Sequence, residues 1–143
     1  MTARRCRGDA GQVAGIEAVP FGLLVLLVGV LLVAHTWAVV DARFRATVAA
    51  REATRAYVES TGGTPGLEAA QRAAAVEPAA TIDGPTTARR CATAGFRATI
   101  DVPAIGVPWR GDRPHVRVRA QHREVVDPYR DGLAGTADCE LDP

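Results

Sequence analysis

Cys91 and Cys139 are the two residues of this chain best placed to form a covalent link. Both lie in the C-terminal part, and Cys6 lies across a long apolar run from them. A disulfide between them needs an oxidising compartment. It would close a loop of about 48 residues and stabilise the fold by about 4 kcal/mol in the chain-entropy model. The alternative is two unpaired thiols. His115 and His122 differ by an odd number, so a regular strand sends them to opposite faces and away from a shared metal. No Cys-x-x-Cys, His-Glu-x-x-His, phosphate loop or Gly-x-Ser-x-Gly is present. The sequence therefore suggests no enzyme, no metal and no cofactor. Arg-Gly-Asp occurs at Arg7-Gly8-Asp9 and at Arg110-Gly111-Asp112, as chance allows in a chain rich in arginine and glycine.

One acid has an unusual setting. Glu17 stands at the mouth of an uncharged apolar run, Ala18 to Val40. An acid inside a bilayer is costly and is tolerated best with a partner or near the interface. Glu17 is thus either an interfacial residue among headgroups and water or a docking group for a positive charge on a neighbouring subunit. His35 follows it by 18 residues, about five helical turns, so the two polar groups share a face. Gly15, Gly22, Gly29 and Thr36 recur every seven residues and make a narrow column that lets helix backbones approach in a membrane.

The apolar run must carry these groups. Its 23 residues suffice to span a bilayer as one helix. It is long for a signal peptide, whose apolar core holds about 7–15 residues, although Thr36-Trp37-Ala38 is a weak cleavage site. A buried core helix fails because roughly 80 residues of soluble chain are too few to surround it. Arginines flank the run on both sides, so their count leaves its orientation open. The cysteines favour the N-terminus in the cytoplasm and the C-terminal part outside. All 17 basic residues are arginine, and the net charge of +1 argues against nucleic acid as a partner.

Helical periodicity continues past the run. Ala42, Ala46, Ala49, Ala53 and Ala56 form one stripe, and Arg43, Thr47, Arg51 and Arg55 form a polar one. Asp41 and Arg45 can pair at i,i+4. Gly62, Gly63 and Pro65 end the helix. The expected rod, from about Gln12 to Ser60, is about 70 Å long. A short helix is expected from Pro65 to Val76, capped by Thr64, with Glu68 near Arg72. Glu77 to Arg90 reads as loop, with a weak strand possible at Thr86 to Thr93. Apolar residues alternate from Phe96 to Val102 and again from Val116 to Gln121, which predicts two strands with one face on a core. Two strands alone are unstable, so the rod or the short helix must floor them. The expected fold is α+β: a cytoplasmic segment (1–17), a transmembrane helix (18–40), an amphipathic helical stalk (41–61) and a small extracytoplasmic head of helix and antiparallel strands (62–143).

The order of parts resembles the TadE-like family of pilus-assembly proteins, the minor pseudopilins of tight-adherence systems, in an actinobacterial form. The matching residues are Arg7-Gly8-Asp9-Ala10-Gly11, then Glu17, Pro20, the apolar run and Ala49-Ala50-Arg51-Glu52-Ala53-Thr54-Arg55. The likeness covers roughly the first 60 residues. It implies a non-enzymatic, single-pass membrane protein that helps assemble or initiate a surface pilus or related secretion structure. Its partners would be the bilayer and other pilin-like chains, met through Gly22, Gly29, His35, Ala42, Ala46, Ala49 and Ala53. It also implies a prepilin peptidase that cuts after a glycine five residues before the glutamate. Here Gly11 stands six residues before Glu17 and is followed by Gln12. Two other readings stay open: a membrane-anchored envelope protein whose head is a binding module, and a secreted protein with a cleaved leader.

Overall fold

A computed structural model of the chain describes residues 10–60, 63–104, 114–135 and 139, with the side chains of 10–17 and 63 left outside the description. The chain divides into two compact units, Met1–Trp37 and Ala38–Pro143. Helix α1 runs from Ala10 to Glu59 and α2 from Gly63 to Ala74. Strands β1 (Ala80–Asp83), β2 (Thr93–Pro103) and β3 (His115–Val125) form one antiparallel sheet in the order β1-β2-β3. The fold is α+β.

The described side chains of the first unit belong to an exposed apolar helix. From Val19 to Val33 the leucines and valines stand open, as do Phe21 and Trp37. This stretch of α1 is long and apolar enough to cross a membrane, and none of it is buried inside the protein. Pro20 lies within it.

The second unit is built by two alternations of different period. Buried and exposed residues alternate along β2, which turns Ala94, Phe96, Ala98, Ile100 and Val102 to one face. Val118 and Ala120 of β3 join them, with Ala98 opposite Ala120 and Ile100 opposite Val118. Against this face lies the alanine stripe of α1. Ala42, Ala46, Ala49 and Ala50 form one core cluster with Ala98, Ile100, Val102, Val118 and Ala120. The helix contributes only alanines to this cluster, and the larger Ile100, Val102 and Val118 of the sheet fill the space beside them, as dense packing demands. Residues 42–57 of α1, expected to form a stalk, thus lie in the same compact unit as the sheet and serve as its floor.

A second cluster fills the other end with larger groups. Tyr57 and Phe96 meet edge to face at 5.2 Å, among Ala53, Ala70, Ala74, Ala94 and Val126. Gly84 is obligatory here, because a Cβ would fall 2.3 Å from the Phe96 ring. Thr54 is fully buried in the helix. Its hydroxyl donates to the Ala50 carbonyl at 2.7 Å, and the His122 carbonyl stands at 3.3 Å.

Three expectations change. The segment expected to be all loop holds β1, which pairs Ala80 to Asp83 with Ile100 to Arg97. Of the weak strand at Thr86 to Thr93, only Thr93 is in a strand, as the first residue of β2. Helix α2 starts at Gly63, earlier than Pro65, and Arg72 donates to the Glu68 carbonyl instead of its carboxylate.

Candidate functional site

The candidate site is the outer face of α1. At about 100° per residue, Val40 and Val48 lie within about 40° of Phe44, while Ala42, Ala46, Ala49 and Ala53 lie within about 40° of the opposite direction. The alanines are covered by the sheet or its adjoining core. Val40, Phe44 and Val48 are 57%, 70% and 37% exposed. The helix therefore has a spent face and an open one. Sequence periodicity favours the alanine face for contact with other chains; the head's own core occupies it. The open apolar triplet was legible only as the spacing 40, 44, 48, and it was masked by the arginines beside it.

The neighbouring polar groups are held in place. Arg43 reaches the carbonyl of Arg119 on β3. Arg45 meets Glu77 with two arms: Nε donates to Oε2 at 2.7 Å and a terminal nitrogen donates to Oε1. It also touches Asp41, as the i,i+4 spacing predicts, at 3.5 Å. The hydrogen bond and charge of Glu77 hold the Arg45 guanidinium well above its ordinary value, and the Arg45 hydrogen bond pulls the Glu77 carboxyl below its own. This bond ties α1 to the turn between α2 and β1.

Further along the same side, a groove of about 500 Å³ opens between α1 and the end of β3. Val48 and Val58 give it apolar walls, and Arg51, Glu52, Arg55, Glu59 and Glu124 give it charge. Arg55 donates to Glu59 at 2.7 Å, and its pKa is raised, first by that bond and then by the charges of Glu59, Glu52 and Glu124. Glu124 also meets the His122 ring at 2.9 Å. His122 shares the inward parity of β3, and His115 the outward one.

The remaining expected residues fall as follows. Gly22 and Gly29 have open space where a Cβ would stand. His35 is half-buried. Gly11, Gln12 and Glu17 fall within α1, but their side chains lie outside the described residues, so the Glu17–His35 relation does too. Cys6 and both Arg-Gly-Asp tripeptides also lie outside them. Cys91 and Cys139 form a disulfide, with Cα atoms 5.3 Å apart. Among the described residues no group of three metal-ligating side chains converges.

No family model, curated protein or solved structure matches this chain.

Proposed function

We propose that this chain is a non-enzymatic, TadE-like membrane protein that helps assemble or initiate a surface pilus or related secretion structure by helix packing. It crosses the membrane once, with its N-terminus cytoplasmic and its head outside. The observation that carries the reading is the division of α1 into an alanine face spent on the head and an apolar face left open at Val40, Phe44 and Val48. Val40 closes the apolar span, but a helix that only anchors a domain has no need of exposed Phe44 and Val48 beyond it, among arginine and aspartate. A neighbouring helix would cover them and gain roughly 25 cal/mol for each Å² of apolar surface removed from water. The disulfide supports an oxidising compartment for the head.

The test is assembly in cells. Serine at Val40, Phe44 and Val48 together should leave the head folded and abolish the structure it helps build. Leucine at Gly22 and Gly29 should do the same within the apolar span. Normal assembly in both variants would favour the second reading, an anchored binding module whose helix only holds the head at the membrane.

A further inference from the structure

We infer that residues Val126–Gly135 form a redox-held clasp that caps the C-terminal end of α1, and that a dithiol reductant opens it without unfolding the alanine-floored half of the head.

The clasp is fastened at successive points. Arg130 donates to the carbonyl of Val58, one of the last carbonyls of α1, which the helix itself leaves without a partner. The carbonyl of Arg130 in turn accepts from Arg90 Nε at 3.0 Å. The Arg90 amide donates to the Ala134 carbonyl at 3.0 Å. Val126 is buried with Tyr57 and Phe96, and Leu133 packs against the same cluster. The Cys91–Cys139 disulfide locks the strap to the segment that receives it.

Cys91 occupies a position that suits another residue. Its amide donates to the Val126 carbonyl at 3.1 Å, and the Val126 amide donates to the Ala92 carbonyl at 2.9 Å. Two residues thus face one, and the first of them has φ of 62°. That is the arrangement of a G1 bulge, whose first residue is ordinarily glycine. A side chain in this left-handed region is strained. The disulfide holds cysteine there, and its loss leaves the strain without the tether.

Reduction is a two-electron exchange. One thiolate of the dithiol attacks a sulfur of the Cys91–Cys139 bond and forms a mixed disulfide. Its second thiol then closes a cyclic disulfide. The reductant is oxidised, and both cysteines leave as protonated thiols. The cluster of Ala42, Ala46, Ala49 and Ala50 with the middle of β2 and β3 contains no clasp residue. The Tyr57–Phe96 cluster, which holds α2 through Ala70 and Ala74, contains Val126. Opening therefore reaches the end of α1 and α2 first, as a local unfolding unit.

Hydrogen exchange of the full chain in detergent micelles, with and without dithiothreitol, tests this. Amides at 55–60, 64–74 and 126–135 should exchange about tenfold faster or more when reduced, while those at 98–101 and 117–120 keep their rates. A uniform rise over both sets, or no rise at all, overturns the clasp. Two double variants test the strained bulge. With the disulfide absent in both, C91G/C139A should keep 126–135 more protected than C91A/C139A does. Equal protection overturns that part of the inference.

Discussion

Arg45 of α1 and Glu77, which follows α2, share two parallel hydrogen bonds, one of them 2.7 Å between Nε and Oε2. Glu77 is the shielded partner, with its side chain 14% exposed. The two residues are 32 positions apart in sequence, and their pairing ties the helical floor to the turn that leads into β1.

The pair makes stability depend on acid. Arg45 lowers the Glu77 carboxyl below its ordinary value of 4.5. The stabilisation is thus fully present above the unfolded-state pKa and is lost as pH falls through the lower folded-state value. Glu77→Gln should lower the melting temperature at pH 7, and its gap to the natural chain should close as the solution is acidified below pH 4.5. Thermal melts across that range measure it.

Tyr57 carries the opposite prediction. Its hydroxyl is buried with no hydrogen-bond partner among the described residues, and burial pushes its pKa up. Tyr57→Phe keeps the edge contact with Phe96 and removes an uncompensated polar group. It should stabilise the head by about 1 kcal/mol, whereas Tyr57→Ala should cost about 3–5 kcal/mol. Denaturant titration of the chain in micelles would read both.

The two faces of α1 should separate stability from assembly. Ala46→Leu forces extra carbons between helix and sheet and should cost about 1–3 kcal/mol. Phe44→Ser alters an exposed position and should change stability by about 0.5 kcal/mol or less. Assembly in cells should fail with Phe44→Ser although the head stays folded.

How far the fold was legible follows from what periodicity can encode. Phe96 to Val102 alternate strictly, so β2 and its buried face were readable, and Val116 to Ala120 gave β3. The apolar run was readable from length alone. Strand β1 was not, because Ala80-Thr81-Ile82-Asp83 is four residues between Pro78 and Gly84 and owes its strand geometry to pairing with β2. The alanine stripe was visible as a face, yet a period reports which residues line up and never what covers them. Glu77 looked like any loop acid because its partner is distant. Cys91 was visible as a thiol, but its glycine-like backbone position depends on where Val126 returns.

The N-terminus supplies a separate check on processing. Mass spectrometry of the protein from membranes should find either the full chain or a start at Gln12, cut after Gly11. A start near Val39 would remove the apolar span and contradict the membrane reading.

The open face of α1 is the central claim, and photo-crosslinking tests it most directly. A benzophenone side chain at Phe44, in cells that build the structure, should join this chain to a protein with its own apolar N-terminal helix. The same group at exposed Tyr129 should not. Adducts to lipid alone, or equal protein adducts from both positions, would contradict the account.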